Sequence, residues 1–370
     1  MPAASTHTRP PARTSGRALC ACATLLLLTV ACRGAPAPGG QADGPPPAPQ
    51  TTAGLAVSDD VAGEPGAPPG AQTAPSSVLS EAAALATARI QSLLPDLETA
   101  WGTPGSDDGQ LMLPFGVAVD TEGNVYVSDS TGAQKFTADG QFVVRFGVDD
   151  LLTALGGIAV DETGLVYVTG FGPAIHVFAP DGSRAATIGQ PGGGAGQLAK
   201  PVDVAVDARG DLFVADAQNG RVEKFARDGT HLLTIGEPGE GRGQFRTPRA
   251  VAVDDSGNIY VGQGDDYLIQ RFAPDGSYLD TFGDAHADEN VWRVGGLAVD
   301  ERGNVYATQA MASHVQSYRP APDTGLAWEL GGLGASPGKF ATPLGLAYRD
   351  GRLYVVDQQN NRIQVFRLKQ

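Results

Sequence analysis

The chain of 370 residues carries 26 basic and 41 acidic side chains, a formal net charge of −15 at neutral pH. Nucleic-acid-binding proteins need a basic face to displace counterions from phosphates, so this charge argues against a nucleic-acid partner. The three cysteines, Cys20, Cys22 and Cys32, all lie near the N-terminus. The rest of the chain therefore has no disulfide framework and no thiol for catalysis.

The first 32 residues have the pattern of an export signal. Three arginines precede an apolar run at residues 18–31, ALCACATLLLLTVA, which is too short to span a bilayer as a stable helix. The sequence TVAC that ends at Cys32 resembles the lipobox of bacterial lipoproteins. This resemblance implies that Cys32 is lipidated and becomes the mature N-terminus. Plain cleavage near Ala31 and an uncleaved anchor are the alternatives.

The next segments predict a tether and a short helix. Residues 33–77 are rich in Pro, Gly and Ala without hydrophobic periodicity, and this composition predicts a disordered tether. Residues 78–96 show apolar residues at roughly helical spacing, between a candidate N-cap at Ser77 and a stop at Pro95. We expect this helix to pack on the rim of the following domain, with binding to a partner helix as the alternative.

Residues 97–370 are built from one repeating unit. Residues 249–283 contain a full copy, with four strand patterns joined by turns rich in Asp and Gly. The first strand of the unit recurs at a period of about 40 to 50 residues, the range of propeller blades. Its six copies are GVAVD at 116–120, GIAVD at 157–161, DVAVD at 203–207, AVAVD at 250–254, GLAVD at 296–300 and GLAYR at 345–349.

The ends of this repeat region predict a closed ring. The sixth unit stops after its third strand, whereas ETAWG at residues 98–102 precedes the first unit and has the pattern of a fourth strand. Pairing it with residues 362–368 leaves no free sheet edge. The sequence therefore predicts an all-β fold, a six-bladed β-propeller closed by an N-terminal strand that completes the last blade.

The repeat resembles a known family. Its pattern is P-x-G-[IVL]-A-V-D-x-x-G-N-[IV]-Y-V-x-D, followed by N-x-R-[IV]-x-x-F, then D-G and a terminal F-G. This resembles the NHL repeat over residues 98–370. NHL propellers serve as protein-binding platforms, RNA readers and occasional lyases, so the resemblance implies the fold without deciding the function.

Comparison of the units with one another separates scaffold from candidate site. Asp216 and Arg221 in the third unit, and Asp357 and Arg362 in the sixth, flank the loop between the second and third strands. The second, fourth and fifth units lack both members, so we interpret these as structural ion pairs that brace the loop. Asp129 in the first unit has no such arginine, which makes it a candidate site residue, with capping of backbone N–H groups as the alternative.

A second marker is a G-Q-[FL] run ending in proline, which leads into the first strand. It occurs at residues 109–114, 196–201, 243–248 and, with Lys for Gln, 338–343, and it is missing from the second and fifth units. Those two units face each other in a six-membered ring. The pattern predicts a groove across one face of the propeller, and relaxed packing is the alternative.

The binding surface is expected where loops enter the first strands and join the second to the third strands. Aromatic residues and arginine dominate binding hot spots, and this face has several of them. The candidate ligand- or partner-binding residues are Phe115, Asp129, Phe171, Asp203, Arg246, Arg249, Tyr267, Trp292 and Arg293. We predict a monomer, lipid-anchored in a bacterial cell envelope, that recognises a protein, peptide or glycan in the periplasm or outside the cell.

The alternative is a hydrolase or lyase with a divalent metal at the propeller channel. NHL-like amidating lyases hold zinc with histidines entering the channel, but the residues after the entry prolines here are not metal ligands. These residues are Phe115, Val202, Arg249 and Leu344. Asp203 is the one carboxylate expected at the channel, and the acidic loop at residues 284–289 has the composition of a solvated loop. We therefore predict no catalytic residue, metal or cofactor.

Overall fold

The computed structural model describes residues 92–147, 155–170, 172–264, 268–283, 294–319 and 325–369. All of them belong to one compact unit, Gln72–Gln370. The predicted export signal, Cys32 and the predicted tether lie outside the described residues. Within the described ranges, no helix has the length and apolar character needed to cross a membrane.

Six antiparallel sheets of four strands each form the blades. The first two blades comprise β2 (Gly116–Val119), β3 (Val125–Asp129), β4 (Gly132–Phe136) and β5 (Phe142–Phe146), then β6 (Leu155–Val160), β7 (Val166–Gly170), β8 (Ile175–Phe178) and β9 (Arg184–Ile188). The third and fourth comprise β12 (Pro201–Val206), β13 (Leu212–Asp216), β14 (Arg221–Phe225) and β15 (His231–Ile235), then β18 (Pro248–Val253), β19 (Ile259–Gln263), β20 (Ile269–Phe272) and β21 (Tyr278–Phe282). The last two comprise β22 (Val294–Val299), β23 (Val305–Gln309), β24 (His314–Tyr318) and β25 (Leu326–Gly331), then β26 (Pro343–Arg349), β27 (Arg352–Asp357), β28 (Arg362–Arg367) and β1 (Asp96–Trp101).

The strand β1 closes the ring as the fourth strand of the sixth blade. It pairs antiparallel with β28, and Trp101 lies opposite Ile363. An ion pair between Glu98 and Arg352, 2.8 Å apart, joins β1 to β27 across the same sheet. The prediction of a six-bladed β-propeller completed by an N-terminal strand is therefore confirmed.

The predicted helix at residues 78–96 ends earlier than its predicted limit. Ser92 and Leu93 are the last helical residues, and β1 already begins at Asp96. Pro95 lacks the backbone N–H that another helical turn needs, so the chain leaves the helix before it. The helix thus ends before Pro95, the predicted stop, the predicted segment 78–96 overlaps β1 by one residue, and residues 78–91 lie outside the described residues.

The hydrophobic core is divided among the interfaces between neighbouring blades. At the first interface, Tyr126 and Phe146 of the first blade pack with Val168 and Phe178 of the second, all of them buried. Similar clusters lie at each of the remaining interfaces between neighbouring blades, including that between the sixth and first blades. Each sheet thereby buries both faces, which explains why Val, Ile, Tyr and Phe occupy most positions of its strands.

The two ends of the propeller carry different loops. We call the end with the turns between first and second strands the bottom face, and the opposite end the top face. A typical bottom turn is that of Asp254, whose carboxylate accepts the N–H groups of Ser256 and Asn258 and the hydroxyl of Tyr260 at 2.8 to 3.0 Å. Gly257 adopts a φ of 82°, the left-handed position that such a turn requires. These bottom turns satisfy their own polar groups.

Candidate functional site

We call the G-Q-[FL] run that precedes the first strand of a blade its lead-in segment. In four blades this segment inserts one apolar side chain between neighbouring blades. These side chains are all fully buried: Leu111, Leu198, Phe245 and Phe340. Two of the segments form short parallel pairs, β10 (Gln190–Pro191) with β11 (Gln197–Leu198), and β16 (Glu237–Pro238) with β17 (Gln244–Phe245). The apolar residue of the G-Q-[FL] run is therefore a packing residue of the top face.

The last residue of the second strand fastens the lead-in segment in four blades. Its side-chain oxygen accepts a backbone N–H of that segment at 2.7 to 3.0 Å in each case. The pairs are Asp129 with Met112, Asp216 with Lys200, Gln263 with Arg246 and Asp357 with Ala341. In the fourth blade an amide oxygen accepts the same N–H, so an uncharged acceptor also fits this position.

Asp129 is one of these anchors and lies beneath the top surface. Only 1% of it is exposed. One oxygen accepts the N–H of Met112, and the other accepts the N–H and the hydroxyl of Thr131 at 2.7 Å. Of the two predicted roles, these contacts match capping of backbone N–H groups and not a binding contact, because both oxygens already accept backbone and hydroxyl donors.

The two predicted ion pairs differ. Arg362 and Asp357 form the predicted contact, with Nε 2.7 Å from Oδ2. Arg221 turns away from Asp216 and places its Nε 2.7 Å from the buried carboxylate of Glu223. The predicted pair in the third blade is wrong, because a second carboxylate on the same strand takes the arginine.

The inferences from the sequence missed the residues that hold the lead-in segments from the third strand. Gln364 accepts the N–H of Gly338 at 2.9 Å and donates to the carbonyl of Lys339 at 2.8 Å. Gln134 and Gln270 bind the lead-in segments of their own blades in the same way. The signal was present, since Gln recurs at the same place in the third strands of four units.

The first strands of all six blades surround a central channel with a cavity volume of about 200 Å³. Each first strand is the inner edge of its sheet, so its backbone also faces this space. The lining side chains are mostly Val, Ala, Ile and Leu, with Phe115 at the top end and Tyr348 at the bottom end. Among the lining residues that the structure describes, Asp203 is the single charged one.

Glycines let neighbouring first strands touch at the top end of the channel. A Cβ atom on Gly345 would lie 2.5 Å from the carbonyl oxygen of Phe115 and 2.8 Å from the Cα of Gly116. The N–H of Gly345 donates to that same oxygen at 2.8 Å. We call Gly116, Gly157, Gly296 and Gly345 the glycine collar, which narrows the channel at this level.

Asp203 stands in the collar where four other blades have glycine. Its Oδ2 accepts the N–H of Val251 from the fourth blade at 2.9 Å, and its Oδ1 lies against Gly157 of the second blade. Burial raises the pKa of Asp203 to about 7, although two backbone N–H groups and the positive charge of Arg249 oppose this rise. The carboxyl group therefore titrates near neutral pH.

The other predicted site residues have varied positions. Arg246 is exposed and pairs with Glu240 on the top face, and Arg249 is half-buried beside Gly264. Phe171, Tyr267, Trp292 and Arg293 lie outside the described residues, as does the acidic loop at 284–289. In the described ranges, no three His, Cys, Asp or Glu side chains are grouped closely enough to hold a metal ion.

The top face also exposes apolar residues that the sequence inferences did not single out. The exposed fractions are 39% for Met112, 51% for Leu113, 61% for Met311 and 81% for Leu333. At the position of Leu333, the first, third and fourth blades have proline, Pro104 in the first. Comparison of the units would have revealed this difference.

Comparison with known proteins identifies the repeat and the fold. The NHL repeat family model matches residues 198–225 and 340–366. A gluconolactonase of Xanthomonas campestris is 18% identical, with 71% of this chain and 88% of that chain covered and a TM-score of 0.54. Virginiamycin B lyase of Staphylococcus aureus, solved with quinupristin, is 14% identical, with 73% and 83% covered and a TM-score of 0.52.

A chain of a nidogen/laminin complex is 19% identical, with 66% of this chain and 89% of that chain covered and a TM-score of 0.53. Two of these similar proteins are enzymes by name and the third belongs to a protein complex, so the shared architecture does not decide between catalysis and binding. This chain carries NHL repeats and folds as a six-bladed β-propeller.

Proposed function

We propose that this protein is a binding propeller that recognises a protein or peptide partner through its top face. The difference between the two faces is the observation that carries this proposal. The bottom turns satisfy their own polar groups, whereas the top face leaves four large apolar side chains in solvent. Exposed apolar groups within a polar surround are typical of a protein interaction site.

The four apolar side chains follow one another around part of the ring. The N–H of Gly332, next to Leu333, donates to the carbonyl of Ser313 at 2.8 Å, close in sequence to Met311. The N–H of Leu113 donates to Asn361 of the sixth blade at 2.8 Å. We call Met311, Leu333, Leu113 and Met112 the apolar arc, which runs over the fifth, sixth and first blades.

Neutral polar groups lie within this arc. The loop at Gln358–Asn360 separates Leu333 from Leu113, and it contributes amide side chains without charge. Asn360 donates to the carbonyl of Gly334, so the loop is fixed against the lead-in segment of its own blade. In the described part of the top face, an apolar centre with amide neighbours and one cation, that of Lys339 beside Gly331, favours a protein or peptide.

The proposal includes attachment to a bacterial cell envelope through Cys32. This part rests on the lipobox-like sequence that ends at Cys32 and on the Pro- and Gly-rich residues 33–77. A flexible tether of that composition gives the propeller freedom to meet an envelope protein at some distance from the membrane.

The catalytic alternative has less support from the described residues. A calcium ion takes six to eight oxygen ligands, and a zinc site in a protein takes three or four side chains. The described lining of the channel contributes one carboxylate, that of Asp203. A hydrolase or lyase with a metal at the channel is therefore the weaker proposal.

Site-specific photo-crosslinking in intact cells tests the binding proposal. A photoreactive residue placed at Met311 or Leu333 is expected to give one discrete adduct. The same residue at Leu232 or Leu279, which are 47% and 45% exposed on outer strands, provides the matched controls and is expected to give none. Leu113→Asp should remove the adduct formed at Leu333. Equal adducts at the outer strands, or no dependence on Leu113, would contradict the proposal.

A further inference from the structure

Both methionines of the propeller are exposed on its top face. Met112 and Met311 stand at the two ends of the apolar arc, with Leu333 and Leu113 between them. Methionine is among the residues most often fully buried, so two exposed ones on the same face are unusual. Residues 97–370 contain no cysteine, so the thioethers of Met112 and Met311 are the only sulfur atoms in this part of the sequence.

The place of Met311 does not need an apolar side chain for folding. Met311 lies in the four-residue loop between the second and third strands of the fifth blade. The third and sixth blades have loops of the same length, with exposed glutamines, Gln218 and Gln359, at the same place. Methionine sulfoxide is also a polar side chain, so the oxidised form of Met311 fits this loop.

The backbone at Met112 is fixed independently of its side chain. Its N–H donates to Asp129 at 3.0 Å, and its carbonyl accepts the N–H of Ser130 at 2.9 Å and the hydroxyl of Ser130 at 2.8 Å. The residues at the same place in the other three lead-in segments are Ala199, Arg246 and Ala341. A change at the sulfur atom of Met112 therefore alters the top face without loosening the lead-in segment.

An exposed thioether reacts with hypohalous acids and peroxides. With hypochlorous acid, one S–O bond forms and the O–Cl bond breaks, while sulfur loses two electrons and chlorine leaves as chloride with the proton. A methionine sulfoxide reductase reverses the change. In that step two thiols become a disulfide, and the sulfoxide oxygen leaves as water.

We propose that oxidation of Met112 and Met311 to sulfoxides, by hypochlorous acid or a peroxide, releases the protein or peptide partner from the apolar arc. This regulation rests on the proposed function of the top face. A methionine buried by a partner contributes through its apolar surface, whereas a sulfoxide oxygen has to lose its water. Each oxidised methionine should therefore weaken binding about tenfold. Reduction restores binding, because the backbone at Met112 keeps its hydrogen bonds.

Photo-crosslinking with the purified full chain tests this regulation. The protein carries a photoreactive residue at Leu333, is treated with hypochlorous acid, is freed of it, and is mixed with an unoxidised envelope extract of the cells that produce it. Mass spectrometry should find a sulfoxide at Met112 and at Met311, and the melting curve should remain cooperative. The adduct should fall at least tenfold and return after treatment with a methionine sulfoxide reductase.

The double variant Met112→Leu with Met311→Leu is the matched control, because it keeps the arc apolar and removes both sulfur atoms. Its adduct should survive the same treatment. Met311→Gln, which introduces the residue type of the third and sixth blades, should weaken the adduct without any oxidant. No adduct before oxidation would contradict the proposed function itself. An adduct that persists after both sulfoxides form, or one lost equally by the double leucine variant, would overturn the regulation alone.

Discussion

The third and sixth blades carry the same Asp-x4-Arg loop but direct their arginines to different partners. In the sixth blade, Arg362 binds Asp357, and Gln364 fastens the lead-in segment at Gly338 and Lys339. In the third blade, Glu223 occupies the position of Gln364. It forms an ion pair with Arg221 of its own strand, with Nε 2.7 Å from Oε1, and its other oxygen lies 2.8 Å from Nε2 of His231.

The consequence in the third blade is the loss of one donor to the lead-in segment. Glu223 has no proton to donate, so of these two positions only Arg221 donates to the segment, at 2.9 Å to Gly193 and 3.2 Å to Gln197. In the sixth blade both positions donate, Gln364 to Lys339 and Arg362 to Lys339 at 2.9 Å and to Ser336 at 3.2 Å. Residues two apart on a strand share one face, so the arginine and the residue two positions later compete for the same neighbours. A pair of charged residues in the sequence is therefore not sufficient to assign an ion pair.

The largest expected effect comes from removing the anchor of the sixth blade. Asp357→Ala leaves Arg362, Gln364 and the N–H of Ala341 without their buried acceptor. We expect a loss of about 3 kcal/mol in the free energy of unfolding, measured by urea denaturation. Gln263→Ala, at the same position in the fourth blade, removes a neutral acceptor and should cost about 1 kcal/mol. Equal losses would show that charge has no part in the anchor.

A second difference between these blades is Asp203 in the third, where the sixth has Gly345. The folded pKa of Asp203 is about 7, above the value of about 4 for an unfolded chain. The folded state thus binds the extra proton, and the stability from this group is present below pH 4 and lost as the pH rises to 7. Asp203→Asn should remove that slope and raise the stability at pH 8 by about 2 kcal/mol, after allowance for solvent in the channel.

Thermal melts of both proteins from pH 4 to pH 8 measure this effect. Arg249 is the charged neighbour that acts on Asp203, so Arg249→Gln in the parent protein should raise the folded pKa of Asp203 further and extend the loss of stability to higher pH. Parallel pH profiles for Asp203→Asn and the parent would contradict the assignment.

Exchanging the residues that distinguish the two blades should exchange their arginine contacts. In the Glu223→Gln variant, Arg221 is expected to form an ion pair with Asp216. The free energy of unfolding should change by no more than about 1 kcal/mol, because one charged partner replaces another. The reciprocal Gln364→Glu should draw Arg362 away from Asp357. Crystal structures of both variants provide the measurement, and an Arg221 that remains in place would show that the backbone decides its direction.

The smallest effect is expected at Leu333, where the third blade has Pro191. Proline restricts the unfolded chain, so Leu333→Pro should stabilise the protein by about 0.5 kcal/mol if the backbone at this position suits it. Pro191→Leu should lose a similar amount. The melting temperatures of both variants, measured at one pH, test this prediction. Leu333→Pro should raise the melting temperature, and Pro191→Leu should lower it.

Much of the fold was accessible from the sequence because it depends on local patterns that recur. The first-strand motif, its Asp- and Gly-containing turns and ETAWG at residues 98–102 predicted the blades and their closure. The contacts of Arg221 were not accessible in the same way, because they depend on which side chains share a strand face near a loop. The recurring glutamines are visible in the sequence, but their hydrogen bonds to the lead-in segments are revealed only by the structure.

The candidate site was less predictable than the scaffold. Asp203 was identified from the sequence as the one carboxylate among the positions that enter the channel. Its raised pKa follows from burial, which the sequence does not report. For Asp129 a binding role and capping of backbone N–H groups both stayed open, since sequence alone does not distinguish an exposed carboxylate from one that accepts buried N–H groups.

The pairing of β1 with β28 has a consequence for biosynthesis. The two strands are separated by nearly the whole domain in sequence, so β1 leaves the ribosome long before its partner exists. Contacts between such distant segments form slowly, and the sixth blade is the last that can be completed during translation. Until β1 docks, β28 presents an open edge of unpaired backbone groups to which a strand of another nascent chain can add.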